Sequence, residues 1–167
     1  MAWQTRSESV KIDAQIRESL GENWLPTIYR DKIRSQRTRS IRIDIPAKEN
    51  EAEIQYTLLG IELQVGKRRF ACPDLSAGRY MRVFARIGCS EYAIPYDITL
   101  ISGAADELET SWQRAMLLLA ENTRSKTSRA GSVSRANLVR AMRDELAEIG
   151  AGDAMPRFDR ETRQRRS

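Results

Sequence analysis

Apolar residues first recur at helical spacing over 9–21, where Val10, Ile12, Ile16 and Leu20 line one side, Ser9 can cap and Gly21 can stop the helix. A shorter helix is expected from about Pro26 to Arg37, with Pro26 in its first turn and Ile28, Tyr29 and Ile33 as its apolar content. From Ser40 the period changes to two: Ile41, Ile43 and Ile45 point one way, Arg42 and Asp44 the other, and Pro46 ends the strand. Ile54, Tyr56 and Leu58 alternate with polar residues, and after Gly60 the apolar set moves to odd positions, Ile61, Leu63 and Val65. Either a one-residue bulge at Gly60 or a tight turn there accounts for that parity change. Gly66-Lys67 is a two-residue hairpin signal with glycine first, as a type II′ turn requires. It sets Val65 against Arg68, Leu63 against Phe70, Ile61 against Cys72, Gln64 against Arg69 and Glu62 against Ala71.

Asp74 is placed to cap a helix from about Leu75 to Ile87 ended by Gly88, with Leu75, Tyr80, Phe84 and Ile87 buried and Arg79, Arg82 and Arg86 on the exposed side. A strand over Glu91–Ile94 closes at Pro95. A long helix over 98–121 then carries Ile101, Ala105, Leu108, Trp112, Met116 and Leu119 as a continuous stripe, widened by Leu117 and Leu118. Residues 123–133 read as a flexible linker, 134–150 as an appended helix capped by Ser134, and 151–167 as a disordered basic tail. The expected fold is α+β, in the order helix, three strands, helix, strand, helix. A largely antiparallel sheet of four or five strands has helices on one face, and residues 1–122 form the core domain.

At 167 residues the chain suits one hydrophobic core. No apolar run approaches the roughly 20 residues of a membrane span, and the first residues lack the apolar stretch of a secretory signal, so no membrane partner and a cytoplasmic location are expected. There is no histidine, which closes His-based acid–base and nucleophile chemistry; two cysteines cannot complete an all-Cys zinc site. Cys72 and Cys89 are not in C-x-x-C spacing and are expected as small buried residues. The net charge of +5 is uneven: residues 1–122 hold 17 basic and 17 acidic side chains, residues 123–167 hold 11 and 6. Of 28 cations only five are lysine; the arginine bias suits planar, bidentate contacts with phosphate or carboxylate.

Three sets of residues carry candidate chemistry. Arg30, Lys32, Arg34, Arg37, Arg39 and Arg42 lie within thirteen residues; with Arg79, Arg82, Arg86 and the tail residues Arg163, Arg165 and Arg166 they point to phosphates of RNA or DNA, or to an acidic protein partner. The competing expectation is internal pairing, because residues 89–122 carry six acids against one arginine. The second set is the polar sheet face, Arg42, Asp44, Gln55, Thr57, Glu62, Gln64 and Arg69. On element order over residues 9–95, this region is similar to the core of restriction-endonuclease-like nucleases. That resemblance implies magnesium held by Asp44 and Glu62, with Gln64 standing where the family has lysine and Lys67 near the turn. The third is the 98–121 helix, whose wide apolar surface suits a homodimer or an adaptor contact. The leading expectation is a non-enzymatic nucleic-acid-associated binding or assembly module without a cofactor. The alternatives are a magnesium-dependent nuclease and a protein–protein adaptor.

Overall fold

The computed structural model describes residues 12–152. Its helices are α1 (12–20), α2 (Leu25–Ile28), α3 (Leu75–Ile87), α4 (Ile101–Thr123) and α5 (Ser128–Ile149). The strands are β1 (Thr38–Arg42), β2 (Ala52–Thr57), β3 (Gly60–Val65), β4 (Arg68–Cys72) and β5 (Glu91–Pro95). Mixed helices and antiparallel sheets make the fold α+β, but the strands form two sheets instead of one. β2, β3 and β4 are a meander, and β1 pairs only with β5.

The division follows from the chain between β1 and β2. Pro46 removes a backbone donor, Lys48 N turns back onto Pro46 O, and the Asn50 side chain donates to Pro46 O (3.0 Å) and Ala85 O (3.2 Å). Lys48 is pressed so close to Gly88 that a Cβ there would stand 2.3 Å from its carbonyl oxygen. Only glycine serves at this position, where φ is +91° as well. The β1–β2 connection is thereby anchored at the C-terminus of α3, and β1 cannot run alongside β2.

Local signals set the meander. Gly66 has φ +61° and among the described residues no non-glycine residue is left-handed, as a type II′ turn demands, and the β3–β4 register pairs Val65 with Arg68 and Leu63 with Phe70 as expected. At Gly60 the tight turn, not the bulge, is found. Leu58 and Leu59 form its tip, Thr57 faces Gly60, and the Thr57 hydroxyl accepts from Leu59 N and donates to Gly60 O. The tip leaves Tyr56, Leu58 and Leu59 exposed, although alternation had placed Tyr56 and Leu58 on the buried side.

α3 lies centrally, against the meander on one side and α4 on the other. The Asp74 side chain accepts from Ala77 N at its start and left-handed Gly88 ends it. Tyr80, Phe84 and Ile87 are buried as expected, while Leu75 is 39% exposed. Phe84 stacks on Tyr92 of β5 (centroids 4.3 Å apart) and meets Tyr29 edge-on. The second helix is shorter than expected: after Ile28 the chain widens into a π-turn over Tyr29–Ile33, closed by Arg34 N on Tyr29 O, and then enters β1.

Residues 128–133, expected in a linker, are the first turns of α5, capped by Thr127, whose hydroxyl accepts from Ala130 N. Four connecting residues fold α5 back on α4. Leu138, Val139, Met142 and Leu146 join the same core as the rest of the chain, so α5 is an integral element, not an appendage. Polar ties reinforce this. Trp24 Nε1 donates to Glu145, which also pairs with Arg17; Arg135 holds Glu49; and Tyr29 Oη donates to Gly150 O. The expected tail from 153 onward lies outside the described residues. Among the described residues no helix is long and apolar enough to cross a membrane.

Asp13 on α1 is half-buried, its Oδ1 has no hydrogen-bond partner among the described residues, and burial pushes its carboxyl from 3.8 to about 6. A raised carboxyl favours the folded state while protonated and loses that advantage as pH climbs through about 6. Solvent still screens half the group, so the expected gain from Asp13→Asn near pH 7.5 is about 1 kcal/mol, or about 2–4 °C in Tm. Near pH 3 the two proteins should melt together. Thermal unfolding at both pH values checks this.

Candidate functional site

The β1–β5 ribbon is the element that sorts the cations. Tyr96 N donates to Arg37 O (3.0 Å) and Ile43 N to Ser90 O (2.8 Å). The pairs Arg37/Tyr96, Arg39/Ile94 and Ile41/Tyr92 are therefore the hydrogen-bonded ones. The intervening pairs, Ser40/Ala93 and Arg42/Glu91, turn their backbone groups outward. On β5 that inner edge is finished by two tyrosines: the Tyr29 hydroxyl accepts from Ala93 N (2.9 Å) and the Tyr80 hydroxyl donates to Ala93 O. Burial pushes both phenols up, furthest for Tyr80. β5 is therefore enclosed beyond Glu91, and β1 is the outer edge strand. Its outward N–H and C=O groups at Ser40 and Arg42 have no backbone partner among the described residues.

Within the cluster expected at 30–42, Arg30 pairs with its neighbour Asp31 (2.8 Å) and Lys32 with Glu107 (2.9 Å), both on the exposed surface. Arg34 turns inward, where Nη1 donates to Thr38 Oγ1 (3.0 Å) and the guanidinium lies against Gly152. The Arg37 guanidinium lies over the Tyr96 ring, 4.1 Å from its centroid. Arg39 and Arg42 are exposed and have no ion pair among the described residues. Glu91, directly across from Arg42, takes a long hydrogen bond from Ser40 (3.5 Å).

The α3 arginines face a different surroundings from the solvent expected for them. Arg79 donates to Glu109 (2.8 Å) and to Asp106, and Arg82 donates to Glu109 (2.9 Å). Glu109 is 15% exposed. Burial pushes its carboxyl up, but the hydrogen bonds from Arg79 and Arg82 outweigh burial and hold it below the usual range. Those same bonds push the Arg79 guanidinium up. Arg86 is half-buried and lowered, chiefly by burial and then by Arg82. The acids of α4 thus neutralise Arg79 and Arg82 of α3 inside the molecule. Arg163, Arg165 and Arg166 lie outside the described residues.

Asp44, Glu62 and Gln64 are not brought together. Asp44 leaves β1 in the connection to β2, is 91% exposed, and is held by Arg68, which contacts its carboxylate (2.7 Å) and its carbonyl oxygen (2.6 Å). Arg68 faces Val65, about 10 Å along β3 from Glu62 and on the opposite side of the meander. Glu62 and Gln64 share the outer face with Gln55, Thr57 and Arg69, and the Gln64 amide donates to Gly66 O. Among the described residues no three Asp, Glu or Cys side chains stand where they could hold one metal ion. The α4 stripe is occupied within the chain: Ile101, Ala105, Leu108, Trp112 and Leu119 are buried, Leu118 is packed on the core, and Leu117 alone of the stripe's neighbours is largely exposed.

A cleft of about 500 Å³ lies between the start of β5 and the end of α5, where Arg143 Nη1 donates to Ile87 O. Its one thiol, Cys89, is buried and pushed up to about 12 by that burial, despite Arg143 nearby, so it is not a thiolate nucleophile at neutral pH. Tyr96 is the residue that sequence reasoning passed over. Its signal was an aromatic placed directly after a strand-ending proline and before a capping aspartate, with arginines one strand away. The chain matches no protein-family model, no curated protein and no solved structure.

Proposed function

We propose that this protein is a nucleic-acid-binding module that contacts phosphates through the exposed arginines of β1. The observation that supports this reading most directly is the contrast in partners. Arg79 and Arg82 of α3 are engaged by Asp106 and Glu109, whereas Arg39 and Arg42 project from an edge strand with no ion pair among the described residues. Arginine presents a planar fork to phosphate oxygens, and an edge strand adds outward backbone donors beside it. The exposed pairs of Arg30 with Asp31 and of Lys32 with Glu107 are screened and exchange readily for a phosphate. The net charge of +5 favours encounter with a polyanion.

The test is fluorescence anisotropy of the full chain with a labelled oligonucleotide of about 20 nucleotides. Binding is expected at about 50 mM salt and is expected to fall steeply by about 200 mM. Changing Arg163, Arg165 and Arg166 to glutamine in the full chain measures what the terminus adds. Absence of binding at the lower salt removes the proposal.

A further inference from the structure

We infer that the β1 surface takes single-stranded nucleic acid in preference to duplex, with a base stacked at Tyr96; this rests on the phosphate-binding reading of β1 above.

Residues directly opposite each other in an antiparallel pair project from the same face, so Arg37, Arg39 and Tyr96 share one side of the ribbon. Along β1, Arg37 and Arg39 are about 7 Å apart at the rise of an extended strand. Ile94, opposite Arg39 on that same side, is fully buried, so this side of the ribbon is open to a ligand only at its rim. At that rim the Tyr96 ring is 50% exposed, with a guanidinium 4.1 Å from its centroid. The apolar ground continues beyond it: Ile98 is 70% and Leu100 44% exposed. Asp97 holds this corner in shape by accepting from both the backbone N–H and the hydroxyl of Thr99.

A duplex offers phosphates at its surface and keeps its bases stacked inside, so it can match the exposed arginines of β1 from either face of the strand but leaves Tyr96, Ile98 and Leu100 wet. A single strand offers both kinds of surface at once. Its phosphates meet the arginines, and an unstacked base covers the aromatic ring and the apolar residues beside it. A tyrosine ring beside an arginine offers a platform on which a base of any identity can stack, so little sequence preference is expected. An acidic peptide satisfies the arginines equally well but has no flat ring to lay on Tyr96.

The experiment compares four probes of equal length against the full chain: a single strand, the corresponding duplex, a single strand with abasic positions, and a polyglutamate peptide as competitor. The single strand should bind about tenfold more tightly than the abasic strand. Tyr96→Ala should remove that advantage while leaving duplex and abasic affinities unchanged, and Tyr96→Phe should retain it. Circular dichroism of both variants establishes that they are folded. If duplex and single strand bind equally, or if Tyr96→Ala weakens every probe alike, the base-stacking inference is overturned and the phosphate reading stands. If polyglutamate displaces the strand at equal charge concentration, the occupant is an acidic peptide and the inference is overturned too. If no nucleic-acid probe binds at low salt, both readings fall together.

Discussion

Glu109→Ala is expected to lower Tm by about 5–10 °C, corresponding to about 2–3 kcal/mol. The carboxylate is 15% exposed and receives Arg79 and Arg82 at 2.8 and 2.9 Å, so its removal leaves Arg82 without its acid and Arg79 with Asp106 alone, both guanidinium groups partly buried. Arg82 Nε already lacks a hydrogen-bond partner among the described residues, which makes that loss harder to absorb. Glu107→Ala is the control two residues away. It breaks a pair with Lys32 whose members are 60% and 46% exposed, and the expected change is about 0.5 kcal/mol or less. The lowered Glu109 carboxyl adds a pH signature. Its contribution is present above the ordinary carboxylate range and fades as pH falls through its depressed folded value, so the gap between wild type and Glu109→Ala should narrow in acid. Equal melting temperatures for the Glu109 and Glu107 variants would show that the α3–α4 network does not hold the arginines in place.

The second large effect is on binding. Each phosphate contact contributes about 0.7–0.9 log units of affinity per decade of salt, so at about 50 mM one contact is worth about tenfold. Reversing both charges, Arg39→Glu with Arg42→Glu, is therefore expected to weaken binding at least about a hundredfold. Tm should move by less than about 2 °C, because both side chains are exposed and bear no ion pair among the described residues. Anisotropy and thermal unfolding on the same preparations separate the two effects.

How much of this was legible in the sequence depended on how local the signal was. Gly66-Lys67 fixes a register because glycine alone accepts the first position of that turn cheaply, and the pairs it dictates run from Val65/Arg68 to Ile61/Cys72. Asp74 and Gly88 bracket α3 for the same reason: each acts on backbone groups within a few residues. The split into two sheets was not legible. It depends on Lys48 packing onto Gly88, forty residues distant, and no periodicity records that approach. The start of α5 was missed because residues 123–132 contain no apolar side chain larger than alanine. A helix whose first turns are solvated needs only adequate propensity and a cap, here Thr127. As for the candidate surface, charge counting found the 30–42 cluster but could not say which arginines turn outward. That distinction came from the acids of α4 meeting α3 and from β1 lying outside β5.

On the proposed reading, Arg39 and Arg42 are outward cations available to phosphate. Its most direct test is the slope of log K against log salt for a single strand, measured for the wild type and for the double variant Arg39→Gln, Arg42→Gln. Loss of two phosphate contacts predicts a slope shallower by about 1.4. An unchanged slope would mean that Arg39 and Arg42 do not hold the phosphates.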